Sequence, residues 1–374
     1  MQQATEFGRR RQRRGAWRPG VIAVVLIVGG PAQWALGQDI EFARLKAATS
    51  LSADQIQTIQ RWIQQQLPDL LNAEDAREAR QAAKVFTDAY TGGTAVFQAA
   101  FLEQCAQTFL TPLTQPDTKP EAVLMMSMFL ARQATGPMIP VLRQMLGSPY
   151  AVARFWAATG LTNLRRDVSA SAQVADVLAD LQKAAGSEAN AVAAKQMYNA
   201  MNLRDVATSA ALLEQAYRAI LSVLTARIKW HAAQERAPVE AEVAGMQALA
   251  GLMGQVDDDT RRQAIQPVAQ ILYHALRRFA KEDTESPARR IDALLIEQAE
   301  ATLRQAVRAT GAATTMPDVL ARLKAGQLDQ ARAELTKWIG SPQQEGLLNQ
   351  TFQLPRGAGL APLGEKPATT QPAS

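Results

Sequence analysis

One cysteine, two histidines and 35 carboxylates are the reactive inventory of this 374-residue chain. Cys105 would be a nucleophile only as a thiolate, which needs a neighbouring cation or a helix N-terminus. It stands instead mid-helix, four residues from Phe101 and four from Phe109, and reads as a small buried hydrophobe. His231 continues the face set by Leu224 and Ile228 near a helix end, to be stabilised by the helix dipole or packed on a neighbour. As a general base it has no partner that spacing identifies. His274 sits beside Ala275 on a stretch carrying Arg277 and Arg278, and is expected on a solvated face.

Asp257-Asp258-Asp259 lacks the alternating acids, the glycine and the distal glutamate of a calcium cage. Thr260-Arg261-Arg262 follows, which suits helix capping and one-turn ion pairing. There is no HExxH, CxxC, GxSxG or phosphate-binding Gly-x4-Gly-Lys-Ser/Thr. The run Gly357 to Gly364 imitates a dinucleotide loop in composition, but no strand precedes it, its third spacing is wrong and it contains Pro362. Arg165-Arg166, Arg261-Arg262, Arg277-Arg278 and Arg289-Arg290 lie among balancing acids and are expected on solvated helix faces. Met125, Met126 and Met128 beside Phe129 read as core filling. Asn349-Gln350-Thr351 is a formal glycosylation sequon. No catalytic, cofactor-binding or metal-ligating residue is assigned, and no cofactor is expected.

Charge confirms little and excludes something. The chain has 40 basic and 35 acidic residues, net +5. Residues 1–37 hold six arginines against Glu6, so the remaining 34 basic and 34 acidic residues balance. Without the leader no global positive field remains to gather nucleic acid. One cysteine excludes a disulfide framework.

The same six arginines precede the apolar run Val21 to Val28, then Gly29-Gly30-Pro31 and the small-x-small site Ala35-Leu36-Gly37. That order is a secretory signal peptide, with cleavage expected after Gly37 and an exported, periplasmic or secreted product. The apolar run is far shorter than the roughly 20 residues of a membrane span. Residues 20–37 together could just cross, so an uncleaved N-terminal anchor is the rival reading, and the one route to a membrane. Arg13-Arg14-Gly15-Ala16-Trp17-Arg18 is similar to a twin-arginine export signal but lacks the usual Ser/Thr before the pair and the bulky apolar pair after it. No cysteine precedes Cys105, so a lipidated N-terminal cysteine is not expected.

The body reads as all-α. Ser52 with Gln55 forms a capping box, stapled by Leu51 and Ile56. Ile56, Ile59, Ile63 and Leu67 follow at helical spacing, with Pro68 expected to stop the run. Asn72 is expected to cap the next helix and Thr94 a third, which carries Phe97, Phe101, Cys105 and Phe109. No period-two alternation of useful length occurs, so strands are not expected. Three prolines between Pro112 and Pro120 predict a stiff linker.

Beyond it lies an internal echo. Ala151-Val152-Ala153 recurs as Ala191-Val192-Ala193, Gly147-Ser148 as Gly186-Ser187, and Asn163-Leu164 as Asn202-Leu203. A period near 40 with two helices per unit is the mark of stacked hairpins. The glycines are expected to supply left-handed helix ends between paired helices. These residues resemble HEAT repeats: an apolar first helix from Met138 to Leu146, the turn Gly147-Ser148-Pro149, Val152 with Arg154, then Ala157, Gly160-Leu161 and Leu164. Where the family commonly has Asp, this chain has Ser148 and Glu188, and the basic positions are displaced to Arg154 and Lys195. The resemblance implies a right-handed α-solenoid and a scaffolding role. Gly326 to Leu335 is similar to half a tetratricopeptide unit, in one copy.

The expected organisation is a leader (1–37), an N-terminal helical region (38–111), a proline-rich linker (112–120), HEAT-like repeats (121–204), a region of long helices (205–340) and a disordered tail (341–374). The expected function is that of an exported, non-enzymatic scaffold binding another protein or an envelope polymer, with no nucleic-acid partner. The alternative is an exported hydrolase using two carboxylates across a concave groove.

Overall fold

Side chains that cap helix starts set several of the element boundaries. The computed structural model describes residues 42–232, 240–282, 286–312, 315–341 and 343–354. The leader 1–37 and the glycine-rich run 357–364 lie outside them. The chain divides into two compact units after Leu45. The first contributes residues 42–45 to the described portion, all helical. The second holds every element named below.

Ser52 accepts from the Gln55 amide at 3.3 Å while the Gln55 side chain accepts from the Ser52 amide at 2.8 Å, opening α1 (Ala53–Asn72). Asp75 accepts from the amides of Arg77 and Glu78, at 2.7 and 2.8 Å, to open α2 (Ala76–Tyr90). Thr94 opens α3 (Ala95–Thr114). The chain continues through α4 (Pro120–Arg132), α5 (Ile139–Met145), α6 (Ala151–Asn163), α7 (Arg165–Ala170), α8 (Val174–Ser187) and α9 (Ala191–Met201). Then come α10 (Ala210–Ala232), α11 (Glu240–Met253), α12 (Asp258–Phe279), α13 (Pro287–Ala309), α14 (Val319–Lys324), α15 (Leu328–Ile339) and α16 (Leu347–Phe352). Among the described residues there is no strand.

The helices contact one another in two rows. One row runs α1, α3, α5, α8, α10, α12, each touching the next. The other runs α2, α4, α6, α9, α11, α13 in the same manner. Across the rows α1 packs on α2, α3 on α4, α5 on α6, α8 on α9, α10 on α11 and α12 on α13. The short α14 and α15 pair with each other and rest on α13 and α12, and α16 packs on α15. Leucine, isoleucine and alanine fill the space between the rows, with a cluster of rings at the N-terminal end. There Phe86 meets Phe109 edge-on at 5.2 Å, and Phe129 receives Tyr90, Phe101 and Phe109.

Two glycines allow close approach between rows and neighbours. A Cβ on Gly160 would lie 2.9 Å from a Leu142 methyl and 3.4 Å from the Ala131 backbone. One on Gly245 would lie 2.7 Å from the Tyr198 ring.

Several expectations are corrected. Pro68 does not stop α1, which runs on to bury Leu70; one missing amide costs less than the packing of another turn. The cap of α2 is Asp75, not Asn72, because Asn72 is still helical. The proline-rich stretch is shorter than its composition suggests. α3 continues through buried Pro112, and Pro120 takes the first position of α4, where its missing N–H is harmless.

Gly147 and Gly186 are not left-handed, and Gly186 lies inside α8. After α5 the chain turns instead by tightened bonds, Gly147 N–H to Gln144 O and Ser148 N–H to Met145 O. The tail expected to be disordered from 341 includes α16, whose Leu348 and Phe352 are buried. Two apolar residues one turn apart dock it, and a low overall hydropathy conceals them.

Candidate functional site

Ser148 and Glu188, forty positions apart, hold the turns before α6 and α9 in the same way. The Ser148 hydroxyl accepts from Tyr150 N–H at 3.2 Å, and Glu188 Oε1 accepts from Asn190 N–H at 2.8 Å. Ser148 also donates to Leu113 O at 2.6 Å, satisfying a carbonyl in the last turn of α3. Arg154 joins the two turns. It donates to Ser148 O at 2.7 Å and forks onto Glu188 at 2.5 and 2.9 Å.

These residues form the wall of a groove of about 780 Å³ between α5 and α8. Arg143 from α5 crosses it to Asp180 at 2.6 Å and to Asp176 at 3.3 Å. Lys183 stands exposed on its rim. A shallower space of about 340 Å³ continues past Lys183 and Ser187 along the α8–α10 seam, floored by Ala179, Gly186 and Ala226. There Gln182 donates to Ser222 at 2.9 Å.

The carboxylates of the groove are held by arginine. Both oxygens of Glu188 accept from Arg154, and Oε1 also from Asn190. Asp180 is bound to Arg143 in turn. Its side chain remains 38% exposed, whereas that of Glu188 is fully buried.

Deeper in the fold, charge continues from the groove wall. Arg227 of α10 is wholly buried and donates to Ala185 O at 3.0 Å and Glu188 O at 2.7 Å, capping the end of α8. It pairs with buried Glu242 of α11 and stacks over Trp230, 4.4 Å from the ring centre. His231 Nε2 lies 3.9 Å from Glu242. His231 Nδ1 accepts from Arg278 of α12 at 3.1 Å, and Arg278 forks onto Asp292 of α13 at 2.7 and 3.0 Å. Burial raises the pKa of Glu242 and of Asp292, with their arginines opposing. Burial, with Arg278 next, lowers that of His231 well below its ordinary value.

The chain matches no family model, no curated protein and no solved structure. Its site has to be read from its own residues.

Of the residues singled out by type, Cys105 is fully buried among rings, and burial pushes its thiol pKa well up. His231 does pack on the face that Leu224 and Ile228 begin. His274 is buried, not solvated, with its ring edge-on to Tyr273 at 5.3 Å. Arg278 beside it is buried too, because Asp292 supplies a partner fourteen residues on. Arg261 likewise turns inward to Met253 O and Val256 O, while Arg262 reaches Gln353 O at the surface. Asp257 is the cap of α12, accepting from Thr260 N–H. Met125 and Met126 are core. The Asn349 side chain is buried and accepts from Gly346 N–H at 3.0 Å, so the folded chain does not present it to a glycosylating enzyme.

The pairs Arg227–Glu242 and Arg278–Asp292 were missed. Their one signal was an arginine on or beside an apolar stripe, as Arg227 stands three residues after Leu224 and one before Ile228. Among the described residues no group of three or more His, Cys, Asp or Glu could hold a metal.

Proposed function

We propose that this chain is an exported, non-enzymatic helical-repeat scaffold, a HEAT-like right-handed α-solenoid, that binds another protein or an envelope polymer along its α5–α8–α10 groove. The observation that carries the reading is the recurrence at a 40-residue offset: Ser148 to Tyr150 and Glu188 to Asn190 make the same turn bond, and Arg154 links the two. A turn bond that repeats with the helical hairpin is what a stack of equivalent units requires. The alternation of helix contacts in two rows supports it, since each hairpin touches the next on both rows. The groove supports a partner over a reaction, because its carboxylates are bound by arginine and its floor is small and apolar.

Export rests on residues 1–37, with removal near Gly37. No helix among the described residues is long and apolar enough to cross a membrane.

Affinity capture from an envelope fraction with residues 38–374, alongside an Ala184→Arg, Ala226→Arg double variant, tests the function. A partner retained by the native chain and lost by the variant supports it. Recovery of no partner, together with hydrolysis of a wall polymer, overturns it. N-terminal sequencing of the exported protein tests the leader: a start before Val21 refutes cleavage.

A further inference from the structure

His231 stands where two successive hairpins meet, α10/α11 and α12/α13. Its charged neighbours come from each helix packed around it. Arg227 lies one turn before it on α10, Glu242 on α11, Arg278 and the second histidine, His274, on α12, and Asp292 on α13 behind Arg278. Tyr198 of α9 is a further titratable group here, and its hydroxyl, like His231 Nε2 and Glu242 Oε2, has no hydrogen-bond partner among the described residues. Every one of these side chains is about nine-tenths buried or more.

With His231 neutral, the two arginines and two carboxylates balance. Arg278 can only donate, so His231 Nδ1 must accept, which places the imidazole hydrogen on Nε2. A second proton, taken from solvent onto Nδ1, would remove that acceptor. An N–H would then face the Arg278 N–H at hydrogen-bond distance, with a third cation beside two arginines and little water to screen it. The contact between the C-terminal ends of α10 and α12 would be lost first, because Arg278 bonds to His231 there, whereas Arg218 and Glu214 of α10 hold Thr260 at the other end of α12.

We infer that the junction of these two hairpins is an acid-responsive joint, in which protonation of His231 breaks its bond to Arg278 and parts the C-terminal ends of α10 and α12. The sign can be isolated. In the closed joint His231 holds its proton less readily than free imidazole does, so acid favours the open state. Glu242 and Asp292 behave oppositely: their raised values mean that the closed joint takes up protons more readily, which opposes opening in acid. Acid-driven opening would therefore report His231 and not the carboxylates. Below an ordinary imidazole value of about 6.5 the open fraction should rise by about tenfold per pH unit.

Two histidines in the whole chain make the test clean. Hydrogen exchange of the full chain is followed from about pH 7.5 to about pH 5.5, corrected for intrinsic exchange, beside nitrogen resonances of the labelled imidazoles. The expected result is an increase of about tenfold in α10 and α12 exchange, with little change in α1 to α6. His231→Asn, whose Oδ1 still accepts from Arg278 but cannot titrate, should abolish the increase, and His274→Asn should leave it. An imidazole of His231 that protonates near its ordinary value with α10 and α12 still protected overturns the inference without any variant. So does an increase that persists in His231→Asn, or that His274→Asn removes.

Discussion

Arg154 and Glu188 face each other as a two-bonded fork across 34 positions, joining the start of α6 to the turn before α9. The Glu188 side chain is fully buried and that of Arg154 is 21% exposed. A buried carboxylate with three donors is worth most when its partners stay. Removing Arg154 leaves the charge in place with only Asn190 N–H. Arg154→Ala should cost about 2–3 kcal/mol and Glu188→Ala a similar amount. Urea unfolding of both and of the double variant should show a coupling of about 1–3 kcal/mol. Coupling near zero would mean that the fork does not tie the units together.

Arg227 and Glu242 form the fully buried counterpart, and their logic differs. Glu242→Gln keeps the shape and leaves Arg227 as an uncompensated charge, at a cost of about 3–5 kcal/mol. Arg227→Met with Glu242→Leu removes both charges and should cost less than Glu242→Gln alone. A residual loss is expected, since Ala185 O and Glu188 O forfeit their donor. The ordering of the two variants in chemical denaturation is the check. A double variant worse than the single would show that capping of α8, not charge balance, dominates.

The starts of helices were legible because their signals are local. Ser52 with Gln55, Thr94, and Ser286 with Pro287 each write a boundary within four residues. The echo of Gly147-Ser148 in Gly186-Ser187 is equally local, yet the matching turn bonds fall on Ser148 and Glu188. Burial of charge was not. Arg278 and Asp292 are fourteen residues apart on different helices, and nothing beside either says that the other will face it. His274 was misread as solvated because Arg277 and Arg278 flank it, and one of those arginines is itself buried. The groove is a product of how α5, α8 and α10 stack, which no single stretch encodes.

Gly245 and Gly254 lie nine positions apart and should respond oppositely to one methyl group. A Cβ at Gly245 meets the Tyr198 ring at 2.7 Å and Leu224 at 3.0 Å, from opposite helices, so neither can retreat freely. Gly245→Ala should destabilise by about 1–3 kcal/mol. Gly254 has nothing within 4 Å and no left-handed backbone. There alanine restricts the unfolded chain at no steric cost, for a gain of about 0.4–1 kcal/mol. Thermal unfolding of the two variants should move in opposite directions.

Cys105 tests the N-terminal core without any substitution. Its thiol is fully buried between Phe101 and Phe109, and burial holds its pKa well above the usual thiol range, so little thiolate forms in the folded chain at mild alkaline pH. A thiol reagent should therefore react with native protein only as fast as α3 opens, and the rate should saturate with reagent concentration. The unfolded chain should react at the rate of a free thiol, about a hundredfold faster or more, the ratio being set by the opening equilibrium. Rapid labelling of the native protein, at a rate that rises linearly with reagent, would mean that the ring cluster around Cys105 is open to solvent and that α1 to α4 lack a closed core.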